Sequence, residues 1–235
     1  MKNINVKGTI VSSEDKWIYD WLGYESTAPE DIESALSEAN GEDVTFVVNS
    51  GGGDVFAGNE INYLISQYRG NTIADIVGIA ASIATVICCG ADTVRMAAGA
   101  QYMIHNVSSS AYGDYREMDK SSQILRVANK TISNTYRLKT GMSESELLEL
   151  MDQETWMDAV RAQELGFVDE IIGDSKQCLS KETLYNASPF VNIISEEVKE
   201  RIRNQVKNPD DRKDDSDIFI LRNRIKIERL RGEVL

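Results

Sequence analysis

The sequence holds one histidine, three cysteines and three prolines, and its basic residues are outnumbered 25 to 38 by acidic ones. Each scarcity excludes something. Cys88 and Cys89 are adjacent and Cys178 lies far from both, a spacing that makes neither a disulfide framework nor a metal-ligand set and points to a reducing compartment. No apolar run reaches the roughly 18–20 residues that span a bilayer, and the opening MKNINVKGTIV has no long apolar region of the secretory kind. A cytoplasmic protein without a membrane partner is expected. The net charge of −13 and the pI near 4.6 argue against a general nucleic-acid binder, which would present a basic face. Also missing is the G-x-S-x-G nucleophile elbow of the α/β-hydrolases. The segment SGGGD lacks both the lysine of a P-loop and the spacing of a dinucleotide fingerprint, so phosphate binding is set aside.

What is present is an alternation of short strands and helices in a chain long enough for one substantial core. VTFVV (44–48) is a β-branched strand, NSGGGD a glycine-rich turn, and VFAGNEINYLISQYRG a helix with Val55, Ile61, Leu64 and Ile65 at helical spacing. TIADIVGIA (72–80) reads as a buried strand, SIATVICCGA as a buried helix, and TVRMA and QYMIH as two further strands. This order predicts an α/β layer architecture with a largely parallel sheet. Residues 115–139 form a long polar segment, most simply an exposed helix. Ser143 and Glu146 make a capping-box pattern at the start of SESELLELM, and MDAVRAQELGFVDEII reads as a helix capped by Asp158, a stop at Gly166 and a strand. Residues 1–186 are expected to form the main domain and 187–235 a charged linker and basic tail. NPDDRKDDSD (208–217) has the composition of a linker or disordered segment. From Arg201 to Leu235, ten Lys and Arg stand against seven Asp and Glu; this tail either docks on an acidic partner or neighbouring subunit, or is a solvated end.

A lone histidine is more often structural than catalytic. His105, however, ends the run QYMIH, where a strand of an α/β sheet delivers its side chain to the carboxyl edge. Ser82 follows another strand and opens a helix, and NSGGGD does the same at a third strand end. The three ends are expected to converge on one cleft. A serine needs a neighbouring base to take its proton, and the resulting oxyanion needs fixed N–H donors, which glycines let the backbone supply. The alternative for Ser82 is a small helix N-cap.

FVVNSGGGDVFAG, GIAASIATVICCGA, YMIHN and AQELGFVDEI, in this order and spacing, resemble the proteolytic subunit of the Clp protease, a serine peptidase, over about Asn5 to Gly173. KGTIVSSEDKWIYDWLG and MDQETWMDA resemble the phage and prophage branch, whose members process capsid or scaffold proteins during head maturation. The resemblance implies a crotonase-like α/β fold of layered, mostly parallel sheets with flanking helices and a protruding handle helix, for which residues 115–139 are available. It further implies a homo-oligomeric ring, a protein or peptide substrate, and no metal or organic cofactor. Carried over by position, the nucleophile falls on Ser82, the general base on His105, and the oxyanion donors on the backbone amides of Gly53 and Ile83. The acid falls on Glu154, forty-nine residues after His105, where the family has aspartate. One extra methylene is tolerable because the acid orients the imidazole and stabilises its charged form. Asp152 has the family's side chain but not its position. The family's N-terminal axial segment has no counterpart before KNINVKGTIV, so docking to a Clp ATPase is not expected. Two other readings stay open: a crotonase-like acyl-CoA enzyme, which needs no Ser–His pair, and a non-catalytic oligomeric assembly protein that keeps the fold.

Overall fold

The structure, a computed structural model, describes residues 2–173 and 194–205. Its strands are β1 (Lys2–Ile10), β2 (Ser26–Thr27), β3 (Val44–Gly53), β4 (Thr72–Ala81), β5 (Thr93–Ala97), β6 (Gln101–Ile104), β7 (Thr155–Met157) and β8 (Glu170–Ile172). They form one sheet of order β2-β1-β3-β4-β5-β8, from which β6 branches by pairing with β4 and carries β7 on its other side. All pairings are parallel except β6 with β7, as expected from the alternating sequence. The branch is a fork in β4. Residues 73–76 pair with β5, and residues 79–81 pair with β6.

Parallel strands need crossovers, and α1 (Lys16–Leu22), α2 (Pro29–Ala39), α3 (Val55–Ser66) and α4 (Ile83–Cys88) supply them between β1 and β5; α5 (Tyr115–Thr140) and α6 (Glu144–Asp152) join β6 to antiparallel β7, α7 (Ala159–Glu164) joins β7 to β8, and α8 (Glu196–Gln205) follows β8. Phe46 and Val48 of β3, Ile76 of β4 and Ile61 of α3 are fully buried in one contiguous core with Tyr136 of α5. The expected caps are present. Asp54 accepts from Ala57 N at 2.8 Å, Ser143 and Glu146 form a reciprocal box at α6, and Asp158 accepts from Arg161 N at 2.8 Å. α5 spans the expected polar segment, opened by an Asp114–Glu117 box and closed by Gly141 in the left-handed region. Among the described residues no helix is long and apolar enough to cross a membrane.

α4 stops at Cys88, short of the expected Ala91, and two further boundaries differ from expectation for a visible reason. The glycine run is not a loop, because Gly52 and Gly53 pair with Thr9 and Ile10 of β1 and prolong β3 to the cleft. The following helix stops at Ser66 and not at Gly70: Tyr68 leaves it to donate its hydroxyl to the Glu42 carbonyl and accept from Gly41 N, both at 2.9 Å.

α8 packs on α1 in a second, smaller core, where Ile194, Val198 and Ile202 cover Ile18, Tyr19 and Leu22. Asp15, 7% exposed, holds Lys199 Nζ at 2.6 Å and also binds the Arg203 guanidinium. The boundary expected at residue 186, the linker 208–217 and the basic stretch beyond it lie outside the described residues.

Candidate active site

The fork in β4 creates the site. Ala81 pairs with Met103, and the chain then turns at Ser82 into α4 while the Ser82 N–H still donates to the Met103 carbonyl at 2.9 Å. A strand that must become a helix within one residue needs an unusual backbone, and Ser82 has φ 55° and ψ −131°. For a residue with a Cβ this costs on the order of 1–3 kcal/mol and persists only where the surroundings impose it. Ser82 makes no side-chain cap to α4, so the N-cap alternative is not realised. Its hydroxyl lies 2.8 Å from His105 Nε2 instead.

His105 is the first residue beyond β6, two positions past the Ala81–Met103 pair, so neighbouring strands deliver both side chains to one point. The imidazole is half-buried. Burial pushes its pKa below the ordinary histidine value, and the charge of Glu154 pulls it partly back. The neutral ring, able to accept the Ser82 proton, is therefore the favoured form near neutral pH.

β3 brings the glycines against this elbow. Gly52 has φ 100°, and a Cβ placed on it would lie 2.8 Å from Ser82 Cβ and 3.2 Å from Ile83 N. Gly53 has φ 148°, and its Cβ would lie 2.1 Å from the Ile10 carbonyl oxygen. Only glycine lets β3 come this close to both neighbours. Ile83 is the first residue of α4, and the N–H groups of a helix's first turn have no partner within the helix.

The two candidate acids differ in position. Asp152, at the end of α6, accepts from Asn106 Nδ2 at 2.7 Å and is bound to the neighbour of the histidine. Glu154 follows in a left-handed turn with φ 48°, and Trp156 Nε1 donates to its Oε1 at 3.3 Å. It acts on His105 through charge, without a hydrogen bond between them. Three neighbours of the site escaped the sequence reading: Asn106, Trp156 and Thr85. Asn106 adjoins His105 and Trp156 lies two residues after Glu154, so adjacency was the available signal; Thr85 carried none. Among the described residues no group of three His, Cys, Asp or Glu side chains is arranged to hold a metal ion.

Comparison with known proteins finds one family. The family model of the Clp protease matches residues 32–175. The chain is 29% identical over 136 residues to the ATP-dependent Clp protease proteolytic subunit 1 of Chlamydia abortus, covering 56% of this chain and 71% of that protein. It is 29% identical over 144 residues to the ATP-dependent Clp protease proteolytic subunit of Streptococcus sanguinis, covering 59% and 73%. A subunit of the same name from Bacteroides fragilis is 30% identical over 135 residues, covering 56% and 65%.

Proposed function

The chain belongs to the Clp protease family, and from that premise we propose that it is a serine endopeptidase acting through Ser82, His105 and Glu154. The observation that carries this reading is the 2.8 Å contact between Ser82 Oγ and His105 Nε2 at a strained strand-to-helix turn. As Ser82 Oγ attacks the scissile carbonyl carbon, its proton passes to His105 Nε2, and the Gly53 and Ile83 amides hold the oxyanion. The protonated imidazole then gives the proton to the departing amine nitrogen, leaving an acyl-enzyme on Ser82. A water molecule, deprotonated by the same nitrogen, hydrolyses that ester. Glu154 stabilises the imidazolium between these steps.

The natural substrate in this reading is a phage capsid or scaffold protein cut during head maturation, and the working form is a homo-oligomeric ring in the bacterial cytoplasm. The block MDQETWMDA supports the phage assignment, and the exposed α5 is the element available for contacts between copies. An acyl-CoA enzyme of the same fold would leave the Ser82–His105 contact without a task.

The test is the intact mass of assembled protein after treatment with a fluorophosphonate. One adduct on the wild type, absent from Ser82→Ala and His105→Ala, is the expected result. A wild type that takes none removes the peptidase reading in favour of an assembly role.

The acid is tested by pH. Activity needs neutral His105, so kcat/KM on a fluorogenic peptide should lose activity only on acidification below the ordinary histidine range, near 6.5. Glu154→Gln deletes the charge that raises the His105 pKa, and the acid limb moves to lower pH still. kcat falls roughly ten- to a hundredfold, less than where the acid is hydrogen-bonded to the histidine. Asp152→Asn leaves both quantities close to wild type. The larger fall in Asp152→Asn would transfer the role to Asp152.

A further inference from the structure

We propose that Tyr136 and Thr85 are positioning residues for the oxyanion hole, forming a directed hydrogen-bond chain from α5 that fixes the peptide plane presenting the Ile83 N–H. This rests on the reading of that N–H as an oxyanion donor.

The Ser82 carbonyl accepts twice from Thr85, from its N–H at 3.0 Å and from its Oγ1 at 2.6 Å. Thr85 Oγ1 is also 2.7 Å from the Tyr136 hydroxyl. A threonine hydroxyl carries one proton. That proton is committed to the Ser82 carbonyl, so Tyr136 is the donor in its bond to Thr85, and the chain runs in one direction from tyrosine to threonine to carbonyl. Thr85 is fully buried and Tyr136 nearly so. Burial holds the Tyr136 phenol far above its ordinary pKa, so it keeps its proton throughout the working pH range. The ring itself is fixed by Phe167, edge to face at 5.5 Å.

The peptide bond between Ser82 and Ile83 is planar and trans, so the Ser82 carbonyl and the Ile83 N–H lie on opposite edges of one rigid plate. Fixing the first aims the second. A threonine in a helix often bonds a carbonyl three or four residues back, and on its own that would be a local habit. Here a donor from α5, 51 residues away in sequence, is set behind it. The restraint falls on a residue whose backbone needs one, since Ser82 is strained. Donors on the carbonyl also polarise the amide and strengthen its N–H as a donor.

The experiment compares Tyr136→Phe, Thr85→Val and Thr85→Ser with the wild-type full chain by kcat and KM on a fluorogenic peptide, fluorophosphonate labelling rate, pH profile and melting temperature. Removing an oxyanion donor outright costs on the order of 10²–10³ in kcat, and misaiming one costs less. Thr85→Val is expected to lower kcat and labelling rate about tenfold and Tyr136→Phe about three- to tenfold, a fraction of that full loss. KM and the acid limb stay in place, because His105 is untouched. Thr85→Ser, which restores the hydroxyl, returns both rates to within about twofold, and the double variant Thr85→Val/Tyr136→Phe equals Thr85→Val because the two act in series. Tyr136→Phe deletes a single oxygen and keeps the ring in its packing, so it reads the chain even where Thr85→Val folds poorly. Variants that melt lower yet keep kcat and labelling rate would overturn the inference alone, as would a change confined to KM or to the acid limb. A wild-type chain that takes no fluorophosphonate at Ser82 overturns both the inference and the peptidase reading beneath it.

Discussion

Replacing Ser82 with glycine or alanine is expected to lower kcat on a peptide by on the order of 10⁶, while the two variants differ in stability in the direction opposite to the usual one. Elsewhere in a fold, alanine to glycine costs about 0.5–1 kcal/mol through the entropy of the unfolded chain. At φ 55° and ψ −131°, alanine retains a backbone strain on the order of 1–3 kcal/mol and glycine sheds it. Both lose the bond to His105 equally. Ser82→Gly should therefore melt above Ser82→Ala, by about 2–4 °C for a net 1 kcal/mol in a chain of this size. Calorimetry on the two variants checks the sign. An alanine variant that melts higher would mean the elbow is unstrained, and substantial residual turnover in either would take the nucleophile's role from Ser82.

The second large effect is on folding. In Gly53→Ala the new Cβ would lie 2.1 Å from the Ile10 carbonyl oxygen and 2.8 Å from Ile10 N. Both are backbone atoms of β1, and Ile10 is fully buried, so relief requires parting β1 from β3 where they pair. A loss of at least about 4 kcal/mol is expected, which belongs to the exceptional tail of single substitutions and is a large share of the roughly 5–15 kcal/mol that holds a protein folded. The urea midpoint would fall steeply, or soluble protein would be lost. Gly52→Ala is milder in stability and severe in activity, because its Cβ meets Ser82 Cβ and Ile83 N and displaces the elbow itself. A Gly53→Ala chain with the wild-type midpoint would show that the two strands have room the geometry denies.

Much of this arrangement can be read from residue order. VTFVV and TIADIVGIAA are rich in β-branched residues, which favour strands, and both are strands. The caps at Asp158 and Ser143 are local chemistry, visible within four residues. Ser82 and His105 each follow a strand, and those strands turn out to be hydrogen-bonded neighbours, so two separate local signals meet in space. The extension of β3 through three glycines is illegible because glycine disfavours strands; the pairing with β1 overrides that preference. β7 is three residues long, too short to show a period. The Thr85–Tyr136 bond links positions 51 apart and belongs to no motif, so only the packing of α5 against α4 reveals it. Glu154 is the intermediate case: its place in the chain follows from the family resemblance, while its influence on His105 depends on a left-handed turn that a glutamate seldom adopts.

The salt-bridged contact of α8 with α1 has a consequence for synthesis. Lys199 and Asp15 are 184 positions apart. At a ribosomal rate of about 5–20 residues per second, roughly ten to forty seconds separate the emergence of the two partners. Ile18, Tyr19 and Leu22 reach the ribosome exit long before Val198 and Ile202 exist to cover them, whereas every residue of the candidate site, up to Glu154, is made before the cover. The nascent chain thus passes through a stage in which its sheet and elbow are complete and one apolar helix face is bare. That interval is when a chaperone, or a second unfinished chain, would meet it.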